Sequence, residues 1–281
     1  MPNTFRGLVN HYHVSMPMPK FLRSALFPIF GFFGYRIASL PDLGQVQEFL
    51  RNLHPIEFNL IRVGSEHDGG YLVPDDLESI KSCFSPGVSN NADFETELAL
   101  RGIPSYLADF SVDAPPVINE KFTFIKKFVG ATNTIEAMSF SDWVEKNSEA
   151  SDELILQMDI EGSEYSALLS CDRMILRRFR ILIVEFHGMD LLFDSQGFQV
   201  LRDCFLKILE DFYVVHIHPN NNDPVRRVGR LSIPSLMEFS FIRKDRVDLL
   251  KFTTRFPHPL DRATVPQKKD FALPQNFFRH T

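Results

Sequence analysis

From about Ile80 onward short β-like runs alternate with helical or loop segments, and this alternation constrains the fold more than any other feature of the chain. The runs 82–85 (SCFS), 105–110 (SYLADF), 122–129 (FTFIKKFV), 154–160 (LILQMDI), 180–187 (RILIVEFH), 213–218 (YVVHIH) and 237–243 (MEFSFIR) read as strands. Helical stretches fit between several of them: Phe94 to Arg101, Ser163 to Leu169 and Phe198 to Phe212. The last carries Phe198, Leu201, Phe205, Ile208 and Leu209 at helical spacing, an apolar stripe that needs a covering surface. Such alternation predicts an α/β fold: a seven-stranded, mostly parallel sheet with helices on both faces. The segment joining the final two strands, NNNDPVRRVGRLSIPS, is turn-rich and leaves no room for a crossover helix, so the last strand is expected to run antiparallel.

With 281 residues, 44% of them hydrophobic, the chain can build one large α/β domain with extensions. The expected division is an N-terminal extension over 1–55, partly apolar and helical, a catalytic domain over 56–248, and a Pro- and charge-rich strap over 249–281. Thirty Lys plus Arg face 36 Asp plus Glu, a formal charge of -6, so no global basic field is available to hold nucleic acid. Cys83, Cys171 and Cys204 are odd in number and form no CxxC pair, which disfavours a disulfide framework or a thiolate zinc site and fits a reducing cytoplasm. The most apolar stretch, 21–35, is interrupted by Arg23, Pro28, Gly31 and Gly34 and falls short of the roughly 20 apolar residues of a spanning helix. Basic residues before an apolar core also allow a secretion signal, but the core is broken by Pro and Gly and no clear small-residue cleavage site follows. The segment is expected to pack on the main domain, dock a partner or rest on a membrane surface, so the location expected is cytoplasmic or membrane-peripheral.

The loop after the first of these strands, within SPGVSNNADFETELALRG (85–102), places Gly87 in a turn and starts a helix near Asn91, with Asp93 and Glu95 in its first turn. Neither GxGxxG nor a GK[ST] ending is present, so no backbone cradle for a pyrophosphate is evident. A phosphate-free nucleoside cofactor needs none, and the acidic helix start suits one carrying a sulfonium and an ammonium, as S-adenosylmethionine (SAM) does. Asp109 ends the second strand some twenty residues later, where an acidic side chain in a Rossmann-like unit accepts ribose hydroxyls. That spacing is shared with NAD enzymes, but no tyrosine here has Lys four residues on, as a short-chain dehydrogenase would.

The segment LILQMDIEGSEYSALL (154–169) resembles that of FkbM-type methyltransferases, in which a strand ends in Asp, an apolar residue, Glu, Gly, a small residue and Glu before entering a helix. The resemblance continues in order through RVGSEHDGGYLVP (62–74), FSPGVSNNADFETELALRG (84–102), IVEFHG (183–188) and VVHIHPNN (214–221). It implies a Rossmann-like class I fold that binds SAM and transfers methyl to a hydroxyl of a small polar acceptor such as a sugar or glycan intermediate. It also implies that the DGGY loop lies beside the cofactor pocket. One departure is that SPGVSNN is poorer in glycine than the cofactor loop of many SAM enzymes. The cofactor contacts expected are Asp68, Gly69, Gly70, Ser85, Gly87, Ser89, Asp109, Phe110 and Asp159.

In the methyltransferase plan ligands bind beyond the carboxyl ends of the strands, between the first and fourth. Gly87 and Ser89 would then face Asp159, with Glu161 and Glu164 beyond and Glu185 and His187 at the end of the fifth strand. His187, Asp159 and Glu185 are the catalytic candidates, His187 first as general base because its ordinary pKa is closest to neutrality. Glu161, Glu164 and Glu185 offer oxygen ligands to a divalent cation, although none is predicted, and Glu164 also reads as a solvated helix-start carboxylate. His216 and His218, two apart on an edge strand, share a face; Asn220, Asn221 and Asn222 follow and either turn the chain or line the acceptor pocket. Two other readings stay open: a non-catalytic SAM-fold or glycan-binding module of a biosynthetic complex, and a metal-dependent hydrolase.

Overall fold

A computed structural model describes Phe32 and residues 38–279; the expectations for 21–35 otherwise lie outside the described residues. Among the described residues no helix is long and apolar enough to cross a membrane. Chain order begins with α1 (Leu43–Asn52) and an antiparallel hairpin, β1 (Leu60–Gly64) and β2 (Gly70–Pro74), whose turn is the DGGY loop. There follow β3 (Ser82–Pro86), α2 (Asp93–Leu100), β4 (Ser105–Ala108), β5 (Phe122–Ile125), β6 (Phe128–Gly130), β7 (Ala137–Ser139) and α3 (Phe140–Asn147). Next come β8 (Leu154–Met158), α4 (Glu164–Ser170), α5 (Arg173–Leu176), β9 (Phe179–His187), α6 (Ser195–Asp211) and β10 (Phe212–Pro219). A second hairpin, β11 (Val225–Val228) and β12 (Leu231–Pro234), precedes β13 (Leu236–Arg243).

The central sheet has seven strands in the order β10-β13-β9-β8-β3-β4-β5. Pairs from β9 to β5 are parallel, whereas β13 runs antiparallel between β9 and β10. Both faces are covered, which explains why the central strands read as continuous apolar runs. Successive residues serve opposite cores: Phe84, Leu156, Leu182 and Val184 face one, Cys83, Ile155, Ile181 and Ile183 the other. The first core is roofed by α1, α3, α4, α5 and α6. The second is roofed by the β1–β2 hairpin and α2, so helices lie on both faces as expected but share this one with a hairpin. Asp194 caps α6 by accepting from Gln196 N and Gly197 N at 2.8 Å, and the helix buries Phe198, Leu201, Cys204, Phe205 and Ile208. Burying a phenylalanine such as Phe205, whose ring sits 4.6 Å from Phe186 and 5.1 Å from Phe239, contributes about 1.5–3 kcal/mol.

The single strand expected over 122–129 is two strands. Lys127 N donates to Ile125 O (2.9 Å), a tight turn that ends β5 and sends Phe128 into β6, which pairs with β7 away from the main sheet. Residues 249–279 run over the domain as a strap: Phe252 bridges Ile56, Asp261 meets His216, Asn221 holds Val265 and Lys268, and Ser232 N donates to Asn276. All three cysteines are free and buried.

Candidate active site

The carboxyl ends of β3, β4 and β8 open into a crevice at the point where strand order reverses. Two adjoining hollows share Gly87, Ser89, Asp159 and Glu161. The larger, about 340 Å³, is lined further by Asp109, Ser111, Phe128, Ile160 and Ser163. The smaller, about 170 Å³, is acidic, with Asp68, Asp93 and Glu95 around its wall.

Backbone contacts hold the floor. Gly87 has φ +95, and its N–H donates to Ala108 O (2.9 Å) while Asp159 N donates to Pro86 O (3.2 Å). A Cβ on Gly87 would lie 1.6 Å from Asp159 O, so only glycine lets these chains approach. Ser89, at φ 45, is clamped by its N–H donating to Asp109 Oδ2 (2.8 Å); the other oxygen of Asp109 accepts from Ser111 N and Oγ, each at 2.7 Å. Asp109 therefore shapes the loop as well as lining the larger hollow. Beneath the smaller hollow, buried Ser85 hydrogen-bonds Glu95 and donates to Gln157 Oε1 (2.8 Å), and Gln157 Nε2 donates to Tyr71 Oη (3.3 Å). Burial, opposed by the Ser85 hydrogen bond, raises Glu95 to about 7.

His187 stands at the rim. Its Nδ1 meets Glu164 Oε1 at 3.1 Å, and its carbonyl accepts from Tyr165 Oη (2.9 Å), so ring and backbone are both fixed. Glu164 Oε1 also accepts from Ile160 N and Gly162 N at 3.1 Å. The Glu164 carboxylate accepts from Nδ1–H and turns Nε2 toward Asp159 Oδ1 (3.8 Å) and Glu161 Oε2 (3.6 Å). Burial opposes charge on His187, but the Glu164 hydrogen bond and the charges of Glu164, Asp159 and Glu161 outweigh it and hold the ring up at about 9. Asp159 is raised to about 7 by burial, against the pull of His187 and helped by Glu161, Glu164 and Asp68. Asp159 Oδ1 is buried and takes no hydrogen bond among the described residues. One ligand atom each from Asp159, Glu161 and His187 lie within 4.8 Å of one another, a set able to hold a divalent cation.

Of the expected cofactor contacts, Asp68, Gly69, Gly87, Ser89, Asp109 and Asp159 line the crevice. Three do not: Ser85 is buried below it, Gly70 packs against Ser65 O, and Phe110 packs on Phe128 with ring centroids 4.9 Å apart. Phe128, 49% exposed, presents the aromatic face instead. The continuous reading of 122–129 hid it, because Lys126 and Lys127, the polar pair at the break after Ile125, were taken into one strand. Glu164 is not solvated as expected but fully buried, because its carboxylate serves as the internal acceptor for the 160–162 loop and His187. Glu185 lies deeper than the rim: it is 6% exposed, accepts from Asn220 Nδ2 (3.2 Å) and lines neither hollow. Burial pushes its carboxyl well above the ordinary range. His216 and His218 serve the strap through Asp261, and Asn221 pins the strap rather than lining the crevice. Gln157, Tyr71 and Glu95 form the polar layer under the site; the sequence offered no signal for Gln157 beyond a polar residue in an apolar strand.

No curated protein matches the chain in sequence. The family model described as the methyltransferase FkbM domain matches residues 57–212, from the β1–β2 hairpin to the end of α6, more than half the chain. That span contains the cofactor loop, Asp109, Asp159, Glu164 and His187, and the chain belongs to the FkbM methyltransferase family.

Proposed function

We propose that the protein transfers the methyl group of SAM to a hydroxyl of a small polar acceptor such as a sugar. The observation that carries this reading is the crevice at the β3–β8 switch point, with Asp159 shared by both hollows and His187 Nε2 3.8 Å from it. In the larger hollow Asp109 meets the ribose, and Phe128 offers its face to the adenine. The acidic smaller hollow suits the ammonium of the methionine moiety. SAM brings an activated methyl, so the protein has to align the hydroxyl and receive its proton.

His187 and the carboxylates around it supply the proton acceptor. The free site keeps His187 protonated at neutral pH, which differs from the sequence-based expectation of a base poised near 7. A sulfonium in the crevice repels that proton and lowers the pKa of both His187 and Asp159, so cofactor binding itself readies the base. The Asp159, Glu161 and His187 triplet supports a second reading, in which a divalent cation orients the acceptor hydroxyl.

The test is thermal stabilisation of the full chain by SAM compared with NAD and ATP, then turnover of a sugar acceptor with and without chelator. SAM should stabilise and the other two should not, because only a ligand that prefers the folded state raises its stability. Stabilisation by NAD alone would sink the methyltransferase reading. Turnover abolished by chelator and restored by Mg²⁺ would select the cation reading over the protein base.

A further inference from the structure

The β11–β12 hairpin and the strap enclose an open groove of about 760 Å³ that the cofactor crevice does not use. Its wall carries Arg227, Arg230, Ser232, Lys269 and Asn276. Among the described residues, none of the three cationic side chains makes a hydrogen bond or an ion pair. Three unpartnered cations around one groove are a local reversal in a chain of formal charge -6. The carboxylate in the groove, Asp270, already faces a cation, with its Oδ1 3.6 Å from His218 Nε2. Burial opposes charge on His218, yet Asp261, Glu238 and Asp270 hold it up at about 9.

A second observation points to a ligand independently of the charges. Asn276 is 9% exposed, and its Oδ1 is pinned by Ser232 N at 3.1 Å. That leaves Nδ2 as a buried donor with no partner among the described residues. A buried donor left unpaired is costly, and a small movement of the wall that seals Nδ2 would let an acceptor oxygen in the groove satisfy it. Two guanidiniums, an ammonium, a hydroxyl and an amide N–H make a donor set suited to a group with several anionic oxygens.

Topology puts the groove on the same rim as the transfer centre. Leu236, the first residue of β13, pairs with His187, the last of β9; Ser235 O accepts from Met189 N at 2.9 Å. Arg226, on the opposite face of β11 from Arg227, meets Asp190 at 3.4 Å just past His187. Ser232 is four residues from Leu236, so the groove begins within roughly 20 Å of His187 at full chain extension. The cofactor crevice occupies the β3, β4 and β8 side, leaving the β9–β10 side for an acceptor.

We propose that this groove binds a phosphate or pyrophosphate group carried by the acceptor, so that the methylated molecule is a phosphorylated one. The identity of the acceptor rests on the methyltransferase reading above; the affinity of the groove for phosphate does not.

The experiment titrates the full chain calorimetrically with pyrophosphate, glucose 1-phosphate and glucose, and separately with SAM. Pyrophosphate should bind saturably and more weakly as salt rises, glucose 1-phosphate should compete, and glucose should not. The triple variant Arg227→Gln, Arg230→Gln, Lys269→Gln should bind pyrophosphate at least about tenfold more weakly while its SAM affinity is unchanged, since charge-assisted contacts are lost and the side chains are exposed. Asn276→Asp, which keeps the acceptor for Ser232 N and removes the donor, should weaken it too. Pyrophosphate binding that is absent, or equal in the triple variant, overturns the proposal. So does binding to phosphatidylglycerol vesicles that pyrophosphate fails to displace, which would assign the cations to a membrane surface. Failure of the two readings is separable: pyrophosphate without SAM binding removes the methyltransferase, and SAM without pyrophosphate binding removes the groove.

Discussion

Replacing Gly87 by alanine tests the construction of the cofactor crevice most directly. Two costs follow from the structure. At φ +95 an L side chain is strained, worth about 1–2 kcal/mol by analogy with the left-handed region. The new Cβ would also sit 1.6 Å from Asp159 O and 2.6 Å from Asp159 C. Both are backbone atoms, so relief needs β3 and β8 to separate at their carboxyl ends, breaking the Asp159 N to Pro86 O bond. Overpacking of this kind costs about 3 kcal/mol at the upper end of what cores show. Gly102 supplies the control: it has φ +87, but a Cβ there meets nothing within 4 Å. Gly102→Ala therefore carries the strain without the clash. The expected difference of about 3 kcal/mol corresponds to a melting temperature roughly 6–12 °C lower for Gly87→Ala than for Gly102→Ala. SAM affinity should fall in the first variant alone, because the separated strands carry the shared wall of both hollows. Equal melting temperatures and equal SAM affinities in the two variants would refute the close approach and the crevice built on it.

Further predictions concern the supports of the site and the strap. Asp109→Ala leaves the Ser89 N–H without its acceptor and should cost about 1–3 kcal/mol in denaturant unfolding as well as weakening SAM; unchanged values for both would remove Asp109 from the site. Glu164→Gln keeps an acceptor oxygen for Ile160 and Gly162 but removes the charge beside His187, so an NMR titration of the ring should show its pKa falling from about 9. The strap should hold through a pH window. His218 sits at about 9 in the fold, above its ordinary 6.5, so its contribution is complete below about 6.5 and disappears as pH rises through about 9. Asp261, depressed below its ordinary 3.8 with His216 and His218 as partners against burial, contributes above that value and loses its contribution as pH falls further. Unfolding measured from pH 4 to 10 should therefore show a decline on the alkaline side that Asp261→Asn reduces; identical profiles would disconnect the strap from these histidines.

The strand–helix alternation, the long amphipathic α6 and the ordered segments from DGGY to IVEFHG were legible in the sequence, because they depend on periodicity and short-range order along the chain. Asp109, Asp159 and His187 could be placed on one rim from strand ends alone, since a parallel sheet delivers the carboxyl ends of its strands to the same side. What those side chains do there depended on neighbours far away in sequence. The buried Glu164 carboxylate against His187, 23 positions apart, fixes which ring nitrogen faces Asp159 and, with Asp159 and Glu161, raises the pKa of the ring to about 9. The break after Ile125 that brings Phe128 to the crevice is marked in the sequence only by Lys126 and Lys127, a pair that also fits the exposed positions of one continuous strand, so the turn itself was decided by the fold. Arg227 and Lys269, in a turn-rich linker and a Pro-rich tail, meet around one groove only because the strap crosses the β11–β12 hairpin. Local patterning determined which elements form; long-range packing decided which charges face one another, and charge interactions act through space rather than along the chain.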